Sequence, residues 1–194
     1  MLKFQIMNFS DYITCCVDDL SRFRGRSGFL SWGAAFLRFR GLRIVFLMRT
    51  ARYLRWHPVW KYLSPIVIQI FYWAQTVYNT QISYGTRIGG GLYIPHTGGI
   101  VINPAAKIGE RCYLAHNVTI GKVHAGEKAG VPEIGDDVFL GVGAVILGNI
   151  RIGNNVAIGA NSVVVSDIPD NCFAAGAPAK VVSTTGAKTI LGLD

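Results

Sequence analysis

The sequence predicts a mainly β protein, a left-handed parallel β-helix preceded by an α-helical N-terminal region. Three observations carry that reading. Thirteen aliphatic residues fall on a ladder of six-residue steps: Ile82, Ile88, Ile94, Ile100, Ile108, Leu114, Ile120, Ile134, Leu140, Ile146, Ile152, Ile158 and Val164. Only an eight-residue step after Ile100 and a fourteen-residue step after Ile120 break it. Glycine follows seven of them (Gly89, Gly109, Gly121, Gly135, Gly141, Gly153, Gly159), where a wall has to turn a corner and a side chain would be awkward. The first 78 residues carry no such ladder; breaks at Gly25 to Gly28, His57-Pro58 and Ser64-Pro65 divide them into helices.

A helix turning about 100° per residue would smear the ladder over three faces, so a fixed short period means stacked repeats. Each hexad then forms one flat side of a triangular prism, three hexads form a coil of about 18 residues, and the aliphatic anchors stack inside. Each buried Ile or Leu contributes roughly 1.5 to 3 kcal/mol before chain entropy is counted. The expected organisation is a helical region over 1–78, the β-helix over 79–176 with a glycine-rich loop at 121–133, and a loose polar tail over 177–194.

The net charge of +8 is concentrated early: residues 1–65 hold eleven Lys and Arg against three Asp, and residues 66–194 hold eight of each sign. A basic chain raises the question of nucleic acid. Here Arg38, Arg40, Arg43, Arg49, Arg52 and Arg55 are interleaved with Phe36, Phe39, Phe46, Tyr53, Trp56 and several leucines. That pattern fits a segment lying on an anionic membrane surface, with helical packing or a trimer contact next and nucleic acid last. Ile66 to Tyr78 is apolar but too short to span a bilayer, and no signal peptide is apparent. Cys15, Cys16, Cys112 and Cys172 have no metal or redox spacing and read as free thiols in a reducing cytoplasm.

The ladder also serves as a ruler, since residues one coil apart lie about 4.8 Å from each other. His96 and His116 each stand two past an anchor, twenty residues apart: one coil plus the two extra residues after Ile100. They are therefore expected as stacked neighbours in a column that continues through Val142 and Ala160. Two imidazoles above a smooth track suit a long thin ligand with a reactive end, such as a coenzyme A thioester, its arm running beside Val142, Gly143 and Ala160. An imidazole can take the proton from an attacking hydroxyl, which typically contributes 10² to 10⁴ in rate. His96 is the expected base, with His116 beside it.

These features together resemble the hexapeptide-repeat acyltransferases, and within them the serine acetyltransferase family. The resemblance covers residues 79 to about 182 and rests on HTGGIVINPAAKIGERCYLAHNVTIG (96–121), GDDVFLGVGAVILGNIRIGNNVAIGANSVV (135–164) and AAGAPAKVV (174–182). It implies a homotrimer with sites between subunits, acetyl-CoA as co-substrate, His96 at the catalytic histidine's position and Lys180 placed to meet a coenzyme A phosphate. It also exposes departures. Gln81 stands where the family's aspartate forms a dyad with that histidine, and Gln can orient an imidazole but cannot stabilise its cation by charge. Pro95 and Val131 replace an aspartate and a histidine that hold the two ends of serine.

Those losses make serine a poorly compensated ligand, so the expected acceptor is a sugar hydroxyl of a polysaccharide precursor, lipid-linked and met at the inner face of the membrane. The alternatives are a serine O-acetyltransferase of cysteine biosynthesis with a rebuilt pocket, and a non-catalytic trimeric scaffold. A zinc hydratase would need three imidazoles. His124, the third candidate beside His96 and His116, lies on a loop without fixed register, and no metal is expected.

Overall fold

A computed structural model describes residues 8–24 and 32–192; the break expected at Gly25 to Gly28 lies outside them. Four helices come first: α1 (Phe9–Arg24), α2 (Trp32–Arg38), α3 (Arg40–Trp56) and α4 (Ser64–Tyr78), with a 3-10 turn at Trp60–Leu63 leading into α4. α3 stops at His57, extended at φ −75° and ψ 133°, because the ring of Pro58 disfavours helical geometry in the residue before it. Pro65 opens α4, where its missing N–H is no loss. Asn79 ends that helix in the left-handed region.

Three walls of parallel strands follow. The first stacks Thr80–Ile82, Ile100–Ile102, Thr119–Gly121, Val145–Leu147 and Val163–Val164; the second stacks Arg87–Ile88, Lys107–Ile108, Glu133–Ile134 and Arg151–Ile152. The third stacks Tyr113–Leu114, Phe139–Leu140, Ala157–Ile158 and Phe173–Gly176, closed by the antiparallel strand Ala179–Ser183. Register puts one buried column in each wall: Ile82, Ile102, Ile120, Ile146, Val164; then Ile88, Ile108, Ile134, Ile152, Ile168; then Ile94, Leu114, Leu140, Ile158, Ala174.

Ile100 is the one ladder residue outside these columns; the rung belongs to Ile102. Both are buried, because residues two apart on a strand face the same side, so the pattern alone does not choose between them. The long step therefore falls before Ile100. Tyr93 pairs with Tyr113, twenty residues on, whereas Val101 pairs with Thr119, eighteen on.

A side chain is indeed awkward at the post-anchor glycines. They are needed for room: a Cβ on Gly109 would lie 2.3 Å from Asp136 Oδ1. At that corner the turn itself falls two residues later, on Gly91, Arg111, Asp137, Asn155 and Asn171, all at positive φ, which short Asn and Asp side chains tolerate best. Beside them Asp136, Asn154 and Asp170 each accept the backbone N–H of the residue one coil earlier (Glu110, Asp136 and Asn154) at 2.8 Å.

The first coil has no strand above it, and its backbone groups need other partners. Gln75 Oε1 accepts the Ile82 N–H (2.6 Å) and Asp19 accepts that of Leu92 (2.8 Å). Arg49 donates to the carbonyls of Ile88 (2.6 Å) and Gly89 (2.5 Å) and, through Nε and Nη2, to Asp19 (3.0 and 3.2 Å). Arg49 and Asp19 are 1% and 2% exposed. Burial pulls the Arg49 pKa down, but the charge and hydrogen bonds of Asp19 outweigh it and leave the guanidinium above its ordinary value. Ile44, Val45 and Met48 of α3 and Phe71 and Ala74 of α4 join the same core as Ile82, Ile88 and Leu92. Part of the basic N-terminal region is thus committed to packing.

The tail expected to be loose is docked. After the return strand, α5 (Ala187–Leu191) donates the Ala187 and Lys188 N–H groups to Asn155 (3.2 and 2.9 Å), and Lys188 Nζ lies 3.4 Å from Asp137.

Arg49→Ala leaves the buried carboxyl of Asp19 and two backbone carbonyls without their partner, and is expected to lower stability by about 3 to 5 kcal/mol, read from the urea midpoint. The double change Arg49→Met with Asp19→Leu is expected to recover part of it. Burial pushes the Cys112 thiol up to about 12. Folding therefore favours the neutral thiol, a contribution complete below the free thiol's pKa and lost as pH rises through the folded one. Tm is expected to fall from about pH 9 upward, and Cys112→Ala to flatten that fall.

Candidate functional site

His96 stands within the two-residue excess between Ile94 and Gly98, at the corner joining the third wall to the first. Residues in excess of the register must leave the ladder, and His96 is accordingly exposed. Gly98 and Gly99 return the chain to register at φ of 128° and 64°. A Cβ on Gly99 would sit 2.1 Å from Asn117 Oδ1.

His116 belongs to the wall. Its carbonyl accepts the Gly143 N–H at 3.1 Å, and its Nδ1 is buried with no hydrogen-bond partner among the described residues. The expected column is therefore wrong at its first rung: the Gly98 carbonyl accepts the Asn117 N–H at 2.8 Å, so Gly98, not His96, is the register mate of His116. The two rings nevertheless meet edge to face, their centroids 6.3 Å apart and their planes at 87°, because the excess residues lie beside the His116 rung.

Past His116 the column continues. Asn161 N–H donates to the Val142 carbonyl at 2.7 Å, and the pairing of Ile158 with Ala174 sets Gly176 opposite Ala160. Val142 and Ala160 are exposed, and Gly143 at φ 71° presents no side chain. Lys180, also exposed, lies on the return strand opposite Ala175. From His116 to Gly176 the track spans three rungs, about 14 Å at ordinary strand spacing.

Gln81 faces outward on the first wall, paired in register with Val101. Among the described residues it makes no hydrogen bond to His96, so a Gln81–His96 pair is not formed within the chain. It borders instead a cleft of about 790 Å³ between α4 and the first wall, with Tyr72, Gln75, Thr76, Asn79 and Asn103. These residues escaped the sequence reading. The available signal was the spacing of Gln75, Thr76 and Asn79, which gathers three polar side chains on one helical face.

The loop between Ile120 and Ile134 is a short hairpin. Val123 and Gly130 exchange backbone hydrogen bonds of 3.0 and 2.9 Å, and the Lys128 carbonyl accepts the Asn149 N–H at 2.9 Å. The loop is thereby tied to the next coil. His124 on it is exposed. Among the described residues of one chain, no three of His, Cys, Asp or Glu gather where they could hold a metal ion.

With this geometry in place, comparison with known proteins is informative. The family described as bacterial transferase hexapeptide (six repeats) matches residues 132–166. The serine acetyltransferase of Synechococcus elongatus is 34% identical over 135 residues, 68% of this chain and 54% of that protein. That of Helicobacter pylori strain J99 is 39% identical over 110 residues, 57% of this chain and 64% of that protein. The crystal structure of the Neisseria gonorrhoeae serine acetyltransferase in complex with serine superposes with a TM-score of 0.73 at 32% identity, over 90% of this chain and 70% of that one. The chain belongs to the hexapeptide-repeat transferases, in their serine acetyltransferase-like group. It spans roughly half to two thirds of the length of the curated relatives it matches.

These relatives overturn the expected sugar acceptor. Both curated proteins and the solved structure are serine acetyltransferases, so the polysaccharide reading and its lipid-linked substrate are withdrawn. The inference failed because losing counter-charges at Pro95 and Val131 weakens a contact without supplying a new acceptor, while the polar side chains of the cleft were not visible in the ladder.

Gly99→Ala combines a close contact with a left-handed φ and is expected to cost about 1 to 3 kcal/mol, measured by thermal unfolding. Gly99→Ala with Asn117→Gly relieves the contact, keeps residue 117 free to hold its own positive φ of 60° and leaves the strain at residue 99, so it should recover only part of that loss.

Proposed function

We propose that the protein is an acetyl-CoA-dependent serine O-acetyltransferase. One observation carries the reading: a relationship to serine acetyltransferases that spans helices and prism together, with an exposed histidine at the head of a flat track in this chain. His96 takes the proton from the serine hydroxyl as its oxygen attacks the acetyl carbonyl. The tetrahedral intermediate then expels the coenzyme A thiolate, which recovers a proton from the imidazolium. The pantetheine arm would lie along Val142, Gly143 and Ala160, whose small or absent side chains leave the wall flat. Lys180 would meet a phosphate near the foot of the track.

His116 is proposed to position His96, the two rings meeting edge to face. Gln81, as a neutral acceptor, can orient an imidazole but adds no charge to it. The proposed assembly is a homotrimer in which the cleft beside Gln81 on one subunit meets the histidine corner of its neighbour. Such an arrangement would give the exposed His96 partners that a single chain does not supply. The proposed setting is the cytoplasm at the inner face of a membrane, since the helical region carries the whole of the net charge.

Thiol release from acetyl-CoA on addition of L-serine tests the acceptor, and serine-independent release alone would contradict it. His96→Ala is expected to lower kcat by about 10² to 10⁴. Gln81→Asp is expected to raise kcat by restoring a charge for the imidazolium, and Pro95→Asp to lower the KM for serine by giving its ammonium a partner. Ala160→Phe is expected to raise the KM for acetyl-CoA by about tenfold or more while leaving that for serine unchanged.

A further inference from the structure

We propose that the surface made by the 3-10 turn Trp60–Leu63 and the outer face of α4 docks onto an anionic lipid bilayer. Ser64, Phe71, Ala74 and Gln75 form the buried face of α4. On the opposite side, Leu63, Ile66, Ile70, Trp73 and Val77 follow one another at alternating steps of three and four, and all are exposed, Trp73 by 65% and Ile66 by 62%. That spacing draws a single apolar stripe along a helix. The stripe also points away from Tyr72, Thr76 and Asn79, which face the cleft. A surface that serves neither the core nor the cleft, and exposes this much apolar area, marks an interaction site.

Charge and aromatic content select the occupant. At one end of the stripe stand the exposed cations Arg55 and Lys61, Arg55 over the ring of Trp56 and Lys61 over that of Tyr62. Trp60 and Tyr62 are exposed beside them. Tryptophan and tyrosine settle at the water–bilayer boundary, because each has an apolar body and a polar tip. Lysine and arginine next to them meet anionic headgroups.

A second copy of this chain is a poorer match. Packed on its own copy, this face would offer Arg55 and Lys61 no counter-charge, because the sequence holds no acidic residue between Asp19 and Glu110. Among the described residues no helix is long and apolar enough to cross a membrane. The helix would therefore lie in the interface plane with its apolar stripe inward.

Co-sedimentation of the full chain with vesicles of about one-third phosphatidylglycerol in phosphatidylcholine tests this, against pure phosphatidylcholine vesicles and across a salt series. The expected result is binding about tenfold stronger to the anionic vesicles, weakening as salt rises. Trp60→Ser with Trp73→Ser, and separately Arg55→Glu with Lys61→Glu, are each expected to weaken it about tenfold or more. Absence of binding to anionic vesicles, or variants that bind like the wild type, would overturn the proposal. So would a wild-type assembly that these variants split into smaller species while neither form binds vesicles, which would make the stripe an interface between copies. Serine-dependent thiol release in the same variants is read separately, so failure at the membrane is distinct from failure of the acetyl-transfer reading.

Discussion

Every inner strand in this prism takes its backbone partners from the coil before and the coil after it, and that constraint governs the rest of the molecule. A rung of two or three residues is too short to hold together alone, so three aliphatic columns must stay aligned for the walls to form at all. Alignment requires a near-constant coil length, eighteen residues from Ile102 to Ile120 and sixteen from Ile152 to Ile168. Wherever the chain exceeds it, the surplus is pushed outward. There are two such places: Pro95 to Thr97, which carries His96, and the hairpin between Ile120 and Ile134. The regular part of the sequence makes a scaffold, and the irregular part carries the candidate site.

The same constraint explains the helices. A stack of rungs has open ends, and exposed edges invite further pairing. The first coil is finished by side chains from three helices: Asp19 of α1, Arg49 and Arg52 of α3 and Gln75 of α4 each bond a backbone group of that coil. The other end is covered by the hairpin through Ala179–Ser183. Arg49 shows that a basic residue in a cationic segment can belong to the interior when one carboxylate and two carbonyls receive it. Arg55 and Lys61, with no such reception, remain on the surface.

Most of the scaffold was legible because the six-residue period leaves few other folds open. Twelve of the thirteen ladder residues stand in the three columns; only Ile100 was misassigned, since Ile100 and Ile102 lie on the same side of one strand. That single slip moved the surplus residues and placed His96 on a rung that Gly98 occupies. The pairing of the two histidines was still visible, because a surplus anywhere in that interval brings His96 near His116. The cleft was not legible. Its residues come from α4 and from two rungs of the first wall, and their proximity depends on how the helix packs against the prism, which no local period encodes. The sugar acceptor was expected for a related reason: individual positions spoke of lost charges, while the relatives matched over most of the chain are serine acetyltransferases.

A crystal structure with coenzyme A bound tests the central claim most directly, namely that surplus residues at the corner place a catalytic imidazole at the head of a flat track. The account predicts the thiol sulfur within reach of the His96 ring and the pantetheine arm beside Val142 and Ala160. Coenzyme A held on another wall, with His96 facing bulk solvent on every subunit, would contradict it.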